Sequence, residues 1–282
     1  MATRLARFES GLSELRYIPT AKHVRATVGG RTVVDSRRAV LLWEPQRVVP
    51  QYAVPVVDVA ADLVPGRPGD GDTRGGPVRM GDRGTEVLTP EAGFGHHTAR
   101  GEVLTVRTSD QERVGAAFRL ADPDLADHVV LDWDAFDEWF EEAQPVIGHP
   151  HDPLARIDVL RSDRHVRVER DGTVLAESSR PRLLFETGLP VRFYLPPEDV
   201  RLDLLSPSGT RTTCAYKGIA SYWAAPDTTA TGTAGVPTDV AWTYSDPLPD
   251  AVPVTHMICF FDERVDIVVD GERNDRPLTP WS

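Results

Sequence analysis

The sequence lacks the features that define several large classes of protein. Only two of its 282 residues are cysteines, Cys214 and Cys259. Two thiols cannot build a disulfide framework or a four-thiolate zinc site, and they fit a reducing compartment. No apolar run approaches the roughly 20 residues of a transmembrane helix, and the first residues lack the apolar segment of a signal peptide. We therefore expect a cytoplasmic protein with no membrane partner.

Positive charge is also scarce, and lysine is the scarcest basic residue. The chain has 31 Lys and Arg against 43 Asp and Glu, a net charge of −12. Such an acidic chain argues against nucleic acid as a partner. Only Lys22 and Lys217 are lysines. In a chain so biased toward arginine, a surviving lysine indicates a position where arginine would not serve.

The chain has enough apolar residues for globular cores, and it contains an internal repeat. The hydrophobic share is 40%, and the length predicts about two domains at roughly 150 residues each. Residues 23–44 and 165–186 align without a gap at an offset of 142, with nine of 22 positions identical. We assign repeat 1 to residues 20–143, a linker to 144–161 and repeat 2 to 162–275. We expect repeat 1 to pack against repeat 2.

Both repeats have the pattern of short antiparallel strands. Each opens with alternating runs around a two-residue turn signal, Gly29-Gly30 or Asp171-Gly172, which predicts a β-hairpin. Pro197 is suited to the start of a helical turn, and residues 132–143 fit either a strand or a helix. We expect a mobile loop at 65–86 and a hairpin loop at 228–238. The predicted fold is mainly β, with one or two short helices in each of two tandem domains.

Repeat 2 concentrates aromatic residues around one of the two lysines. The candidate ligand-binding residues are Tyr194, Cys214, Tyr216, Lys217, Tyr222, Trp223, Trp242 and Tyr244. Alternate residues of a strand share a face, so Ser221 and Trp223 share one and Trp242 and Tyr244 another. Such pairs could line a cleft for a flat or anionic small molecule, with the lysine at its mouth. The alternative is ordinary core packing, the commonest role of aromatic residues on strands.

Repeat 1 does not keep this set. The alignment puts residues 97–101 opposite 214–218, Phe118 opposite Trp242 and Leu120 opposite Tyr244. Residues that both copies keep are expected to serve the fold, and those that only repeat 2 keeps are candidates for function. Repeat 1 is therefore predicted to be a degenerate structural copy.

The residues of repeat 2 resemble a bacterial family known as domain of unknown function 427, which is also labelled nucleotidyltransferase-like. The resemblance rests on Ser178, Arg180, Glu186, Tyr194, Pro196, Glu198, Asp199, Val200, Thr212, Cys214, Tyr216, Lys217, Gly218, Ala220, Tyr222, Trp223, Ala241, Trp242, Tyr244 and Pro247. It implies a β-tent (Mss4-like) fold of two antiparallel sheets. Several β-tent proteins carry a zinc site or an aromatic ligand cage, but this chain lacks the paired cysteines for that zinc. We expect neither a metal nor a cofactor.

Three hypotheses about function remain open at this point. The leading one is a protein that binds a small anionic or aromatic ligand in a cleft of repeat 2. The second is an enzyme, a transferase or a hydrolase, that uses Cys214 or Lys217 as nucleophile or base. The third is a protein-interaction module that uses the acidic surface and the 65–86 loop. The sequence leaves open whether the protein is an enzyme.

Overall fold

The computed structural model describes residues 11–81, 84–227 and 235–280, and these divide near residue 152 into two compact units. The predicted hairpin loop at 228–238 falls largely outside the described residues. None of the helices in the described ranges is long and apolar enough to cross a membrane. Strands and short 3-10 helices make up the regular structure, so the predicted mainly β class is confirmed.

The first unit consists of short strands joined by tight turns. Its strands are β1 (Arg16–Pro19), β2 (Val24–Val28), β3 (Arg31–Ser36), β4 (Val40–Trp43), β5 (Gln51–Pro55), β6 (Asp62–Pro65), β7 (Val78–Met80), β8 (Thr85–Val87), β9 (Gly101–Arg107), β10 (Glu112–Leu120), β11 (His128–Leu131), β12 (Glu138–Glu141) and β13 (Gln144–Val146). Its 3-10 helices are Val56–Asp58, Pro123–Leu125 and Trp133–Ala135. The ambiguous segment 132–143 thus contains one helical turn and one strand.

The second unit is built in the same way. Its strands are β14 (Ile157–Arg161), β15 (Val166–Arg170), β16 (Thr173–Ser178), β17 (Arg182–Glu186), β18 (Arg192–Leu195), β19 (Ser206–Cys214), β20 (Gly218–Asp227), β21 (Gly235–Tyr244), β22 (Ile258–Phe260), β23 (Asp266–Val269) and β24 (Glu272–Arg273). Its 3-10 helices are Pro197–Asp199, Leu202–Leu204 and Pro249–Val254. The helical turn expected at Pro197 is confirmed.

The two units share one sheet topology. In the first, a seven-stranded sheet runs β1-β4-β5-β11-β10-β9-β6 and a four-stranded sheet runs β13-β12-β2-β3. In the second, the corresponding orders are β14-β17-β18-β22-β21-β20-β19 and β24-β23-β15-β16. Each strand of one order therefore has a counterpart at the same place in the other. Membership of the β-tent group stays a prediction.

The opening hairpins show how closely local sequence determines local structure. Gly29 and Gly30 have φ angles of 59° and 73°, and Asp171 and Gly172 have φ angles of 50° and 78°. Two positive φ angles in a two-residue loop define the type I′ turn, whose twist matches that of the flanking strands. Both hairpins also carry a register shift at the corresponding place, after Ala26 in one and after Val168 in the other. The predicted hairpins are confirmed.

A serine, an aspartate and an arginine fix the end of each hairpin. Ser178 Oγ donates to Asp199 Oδ2 at 2.7 Å, and Arg180 Nη2 donates to Asp199 Oδ1 at 3.0 Å. In the first unit Ser36 Oγ donates to Asp58 at the same 2.7 Å. The hydrogen bond from Arg180 lowers the pKa of Asp199, and that from Ser178 adds to the effect. We call this group of three residues at the end of each hairpin the corner. In the second unit it holds an ionised carboxylate, that of Asp199, at neutral pH.

We expect Ser36→Ala and Ser178→Ala each to lower the free energy of unfolding of their own unit by about 1–2 kcal/mol. Both serines are buried, and each substitution removes one hydrogen bond to a charged group. Hydrogen exchange followed by mass spectrometry resolves the two units. A variant that destabilises both units equally, or neither, would show that the corner is not a local stabilising element.

The main core of each unit lies between its two sheets. In the second unit this core includes Val168, Leu183, Phe193, Phe260 and Ile267. A smaller core covers the opposite face of the seven-stranded sheet, because that face is also apolar. In the second unit the smaller core contains Leu184, Tyr194, Ala220, Trp242, Tyr244, Ala251, Val254, Met257, Cys259 and Phe261. Much of the aromatic set singled out in the sequence thus belongs to this second core.

Part of the 65–86 loop is hydrogen-bonded to the rest of the first unit. The backbone N–H of Gly66 donates to Val103 O at 2.8 Å, and that of Gly95 donates to Asp72 O at 2.7 Å. Strands β7 and β8 pair with each other near its end. The expected mobility of this loop stays a prediction.

Candidate functional site

The predicted residues lie on β18, β19, β20 and β21 and on the turn between β19 and β20, and three of them form a row across the sheet with Cys259 of β22. The register pairs Tyr194 with Cys259, Cys259 with Trp242 and Trp242 with Tyr222. Directly paired residues share a face, and Tyr244 shares it too because it lies two positions beyond Trp242. Antiparallel pairing thus brings aromatic side chains from β18, β20 and β21 together.

Trp223 does not join this row. It pairs with Ala241 and packs against the core between the two sheets. The two aromatic pairs expected to line one cleft therefore lie on opposite faces of a single sheet. Alternation along β20 and β21 predicted the faces correctly, but it could not show whether those faces would meet across a cleft.

Three of the aromatic side chains on this face are buried. Tyr194, Tyr244 and Trp242 are 0%, 4% and 8% exposed. Trp242 Nε1 donates to Tyr194 Oη at 3.0 Å, and Phe261 packs on the Trp242 ring with centroids 4.6 Å apart. Burial raises the pKa of both Tyr194 and Tyr244. These side chains support the site from within and leave the accessible surface to their neighbours.

Apart from Trp223, the accessible residues of the predicted set lie at the β19–β20 turn and on β20. Cys214, Tyr216, Lys217 and Tyr222 are all half-buried. Tyr222 Oη lies 2.6 Å from Thr212 Oγ1, and its ring stacks on Phe261 with centroids 6.1 Å apart. The turn is closed by a hydrogen bond from Leu248 N to Lys217 O at 3.1 Å. We call the surface formed by these four half-buried residues the Lys217 surface.

An ion pair anchors this surface. Lys217 Nζ pairs with Glu186, at the end of β17, and their side chains are 11% and 14% exposed. Burial acts to lower the pKa of Lys217, but the Glu186 carboxylate and the Cys214 sulfur outweigh it and raise that pKa. The ammonium therefore stays protonated at neutral pH. That state suits the pairing of Lys217 with an anion and disfavours Lys217 as a nucleophile or base.

The first unit satisfies the corresponding carboxylate in a different way. Glu44, at the end of β4, is fully buried and accepts hydrogen bonds from Thr98 N at 2.8 Å and Ala99 N at 2.9 Å. His97 Nδ1 lies 3.0 Å from the same carboxylate. The imidazole of His97 also stacks on Phe118, with ring centroids 3.6 Å apart. The chain's own ring thus covers the aromatic position that corresponds to Trp242.

A buried cluster that the sequence analysis did not single out lies beside the row. Arg192 Nη2 donates to Glu263 Oε1 at 2.7 Å, Arg192 Nη1 donates to Asp262 Oδ1 at 3.1 Å, and the guanidinium lies 5.5 Å from the Trp242 ring centroid. Burial raises the pKa of Asp262 to about 6. Burial also acts to raise the pKa of Glu263, but the hydrogen bond from Arg192 prevails and lowers it. One signal in the sequence could have revealed this cluster: a charged residue, Arg192, begins the otherwise apolar strand β18.

The comparison with protein families concerns the second unit. The model of the family described as domain of unknown function (DUF427) matches residues 158–271. We call this matched segment the DUF427 domain. The match covers most of the second unit, so the resemblance stated from the sequence is confirmed there. All eight predicted site residues lie within the DUF427 domain. Among curated proteins, no sequence matches the chain.

Proposed function

We propose that the DUF427 domain of this chain binds a small molecule that carries an aromatic ring and an acidic group, and that the Lys217 surface makes the contact. The observation that supports the proposal is the protonated Lys217 ammonium, held by Glu186 and Cys214, in a segment that also carries the half-buried Tyr216 and Tyr222. Flat rings with a fixed cation at their edge suit a planar anion.

The hydrogen-bonding capacity of Lys217 supports an anionic ligand. An ammonium has three N–H donors. Glu186 and Cys214 lie within hydrogen-bonding reach of this one, which leaves a donor for a ligand. Because Glu186 also fixes the position of Nζ, little side-chain entropy is lost when a ligand binds.

The buried residues of the row support a rigid site. Tyr194 and Trp242 are hydrogen-bonded to each other, and Phe261 contacts both Trp242 and Tyr222. The Tyr222 ring, held by Phe261, needs no reordering before a ligand stacks on it. In this proposal Tyr194, Trp242 and Tyr244 position the Lys217 surface and do not themselves touch the ligand.

The test is a ligand-observed NMR screen of small aromatic carboxylates and phosphates against the full chain. For a hit, we expect the variant Lys217→Met/Glu186→Gln to weaken binding about tenfold or more, because it removes a charge-assisted hydrogen bond. Changing both partners avoids leaving a buried carboxylate unpaired.

The other lysine provides a matched control. Lys22 pairs with Glu141 in the first unit, so Lys22→Met/Glu141→Gln changes the same kinds of group away from the proposed site. We expect this control to bind like the natural chain. Equal affinities for the two double variants would refute the proposed site, and a screen without any hit would refute the proposed ligand class.

A further inference from the structure

A second feature of the second unit is a cavity of about 440 Å³ beside β17 and β18. Its apolar walls are Leu183, Phe185, Pro190, Val191, Phe193 and Pro277. Its polar lining comes from Arg164, Asp262, Asn274 and Asp275. This volume lies within the range of about 300–1,000 Å³ that is typical of pockets for small molecules. The cavity is not part of the Lys217 surface.

The first unit has a much smaller cavity at the corresponding place. Strand register and matching backbone hydrogen bonds relate Pro190, Val191, Phe193 and Asp262 to Val49, Pro50, Tyr52 and Trp133. Those four residues of the first unit line a cavity of about 80 Å³. The two units therefore differ in how much of this space their side chains occupy.

Indole rings account for the filling in the first unit. Trp133 and Trp139 stack with centroids 5.0 Å apart and planes 7° apart, and Trp139 also stacks on Tyr52 at 5.7 Å. In the second unit Asp262 stands at the position of Trp133. The register of β23 puts Ile267 at the position of Trp139. Of these two positions, that of Trp133 lies in the cavity lining of the second unit, so the larger cavity coincides with the absence of an indole ring there.

We propose that this cavity binds a small molecule that combines a flat apolar ring with a protonated amine. The apolar walls of the cavity favour a ligand with a flat ring. So do the indole rings that lie at the corresponding place in the first unit. The charges favour the amine, because the lining carries two carboxylates, Asp262 and Asp275, and one guanidinium, that of Arg164. The Arg192 guanidinium that binds Asp262 also binds the Glu263 carboxylate, so it does not reverse this excess of negative charge. An apolar pocket with few polar groups is the usual form of such a site.

Asp262 is the residue that would hold the amine. It is 7% exposed, and Arg192 Nη1 donates to its Oδ1, so its carboxyl group is fixed in the cavity wall. A carboxylate accepts several hydrogen bonds at once, which lets Asp262 pair with Arg192 and an amine together. Its pKa of about 6 leaves it mostly ionised at pH 7.5.

Isothermal titration of the full chain with tryptamine at pH 7.5 tests the proposal, because tryptamine joins an indole ring to a primary amine. We expect saturable binding. Asp262→Asn should weaken it about tenfold or more, because a charge-assisted hydrogen bond is lost. Val191→Phe should abolish it by filling the cavity while leaving the Arg192 cluster intact. Indole-3-acetate, with an anion in place of the amine, should bind more weakly than tryptamine.

Two controls separate this site from others. Asp132→Asn changes a buried aspartate of the first unit, also with a pKa of about 6, and should leave tryptamine binding unchanged. Lys217→Met/Glu186→Gln should also leave tryptamine binding unchanged. The outcome of this test is therefore independent of the proposed function. The proposal is overturned if tryptamine shows no saturable binding, if Val191→Phe binds it normally, or if indole-3-acetate binds as tightly.

Discussion

Arg192→Met is expected to lower the free energy of unfolding of the second unit by about 3–5 kcal/mol, the usual cost of breaking a buried ion pair by removing one partner. Arg192 is 5% exposed, and both carboxylates that it binds, Asp262 and Glu263, are buried too. Without the guanidinium, two buried carboxylates lie side by side with no cation between them. Urea unfolding followed by hydrogen exchange of the second unit measures the loss.

An exposed pair in the same unit gives the control for this prediction. Arg201 binds Asp203, and their side chains are 58% and 61% exposed. Arg201→Met should change stability by at most about 1 kcal/mol, because exposed ion pairs contribute little. Arg192→Met/Asp262→Leu/Glu263→Leu should recover much of the loss, since no buried charge is then left unpaired. Similar losses in the two single variants would contradict the assignment of a buried cluster.

Glu44→Gln is expected to lower the free energy of unfolding of the first unit by about 2–3 kcal/mol, the scale of hydrogen bonds to a charged group. The Glu44 carboxylate accepts from two backbone N–H groups and lies beside the ring of His97. An amide at this place removes the negative charge and turns the acceptor that faces His97 and Arg47 into a donor. Glu102→Gln is the control, because Glu102 is half exposed and pairs with Arg119 on the surface.

The same variant has an expected pH dependence. Burial acts to raise the pKa of Glu44, but the hydrogen bonds from His97 and Ala99 and the charge of Arg47 prevail and lower it. A carboxyl whose folded-state pKa is lowered stabilises the fold above its unfolded value, near 4.5, and that contribution is lost as the pH falls further. The stability of Glu44→Gln should therefore change less than that of the natural chain between pH 5 and pH 3. Equal acid sensitivity of the two proteins would contradict an ionised Glu44.

Local sequence was sufficient to predict much of the fold. Gly29-Gly30 and Asp171-Gly172 predicted hairpins because so few residue types adopt a positive φ angle readily. Alternation predicted that Trp242 and Tyr244 share a face. What alternation could not show is the covering of that face by the 3-10 helix Pro249–Val254 and by Phe261, because both come from elsewhere in the chain.

The comparison between repeats predicted the site only in part. The alignment placed His97 opposite Cys214, whereas the basic group that meets the Glu186 carboxylate is that of Lys217, three residues further on. The predicted site residues are mostly aromatic residues that repeat 1 lacks. The cavity of the second unit arises from the reverse difference, in which Trp133 and Trp139 have no aromatic counterpart. A cavity that forms because a side chain is smaller has no sequence motif, so it could not be predicted from repeat 2 alone.

The pairing of Trp139 with Ala26, and of Ile267 with Val168, has a consequence for folding fidelity. Two units with one topology in one chain risk mispairing, in which a strand of one unit joins the hairpin of the other. In the first unit a large residue, Trp139, lies opposite a small one, Ala26. In the second unit two residues of middle size, Ile267 and Val168, lie opposite each other. Each strand therefore packs best against the hairpin of its own unit. The exchanged pairs would crowd Trp139 against Val168 and leave a gap beside Ile267, so both errors are penalised by packing. Unequal side-chain sizes thus favour the pairing of each strand with the hairpin of its own unit.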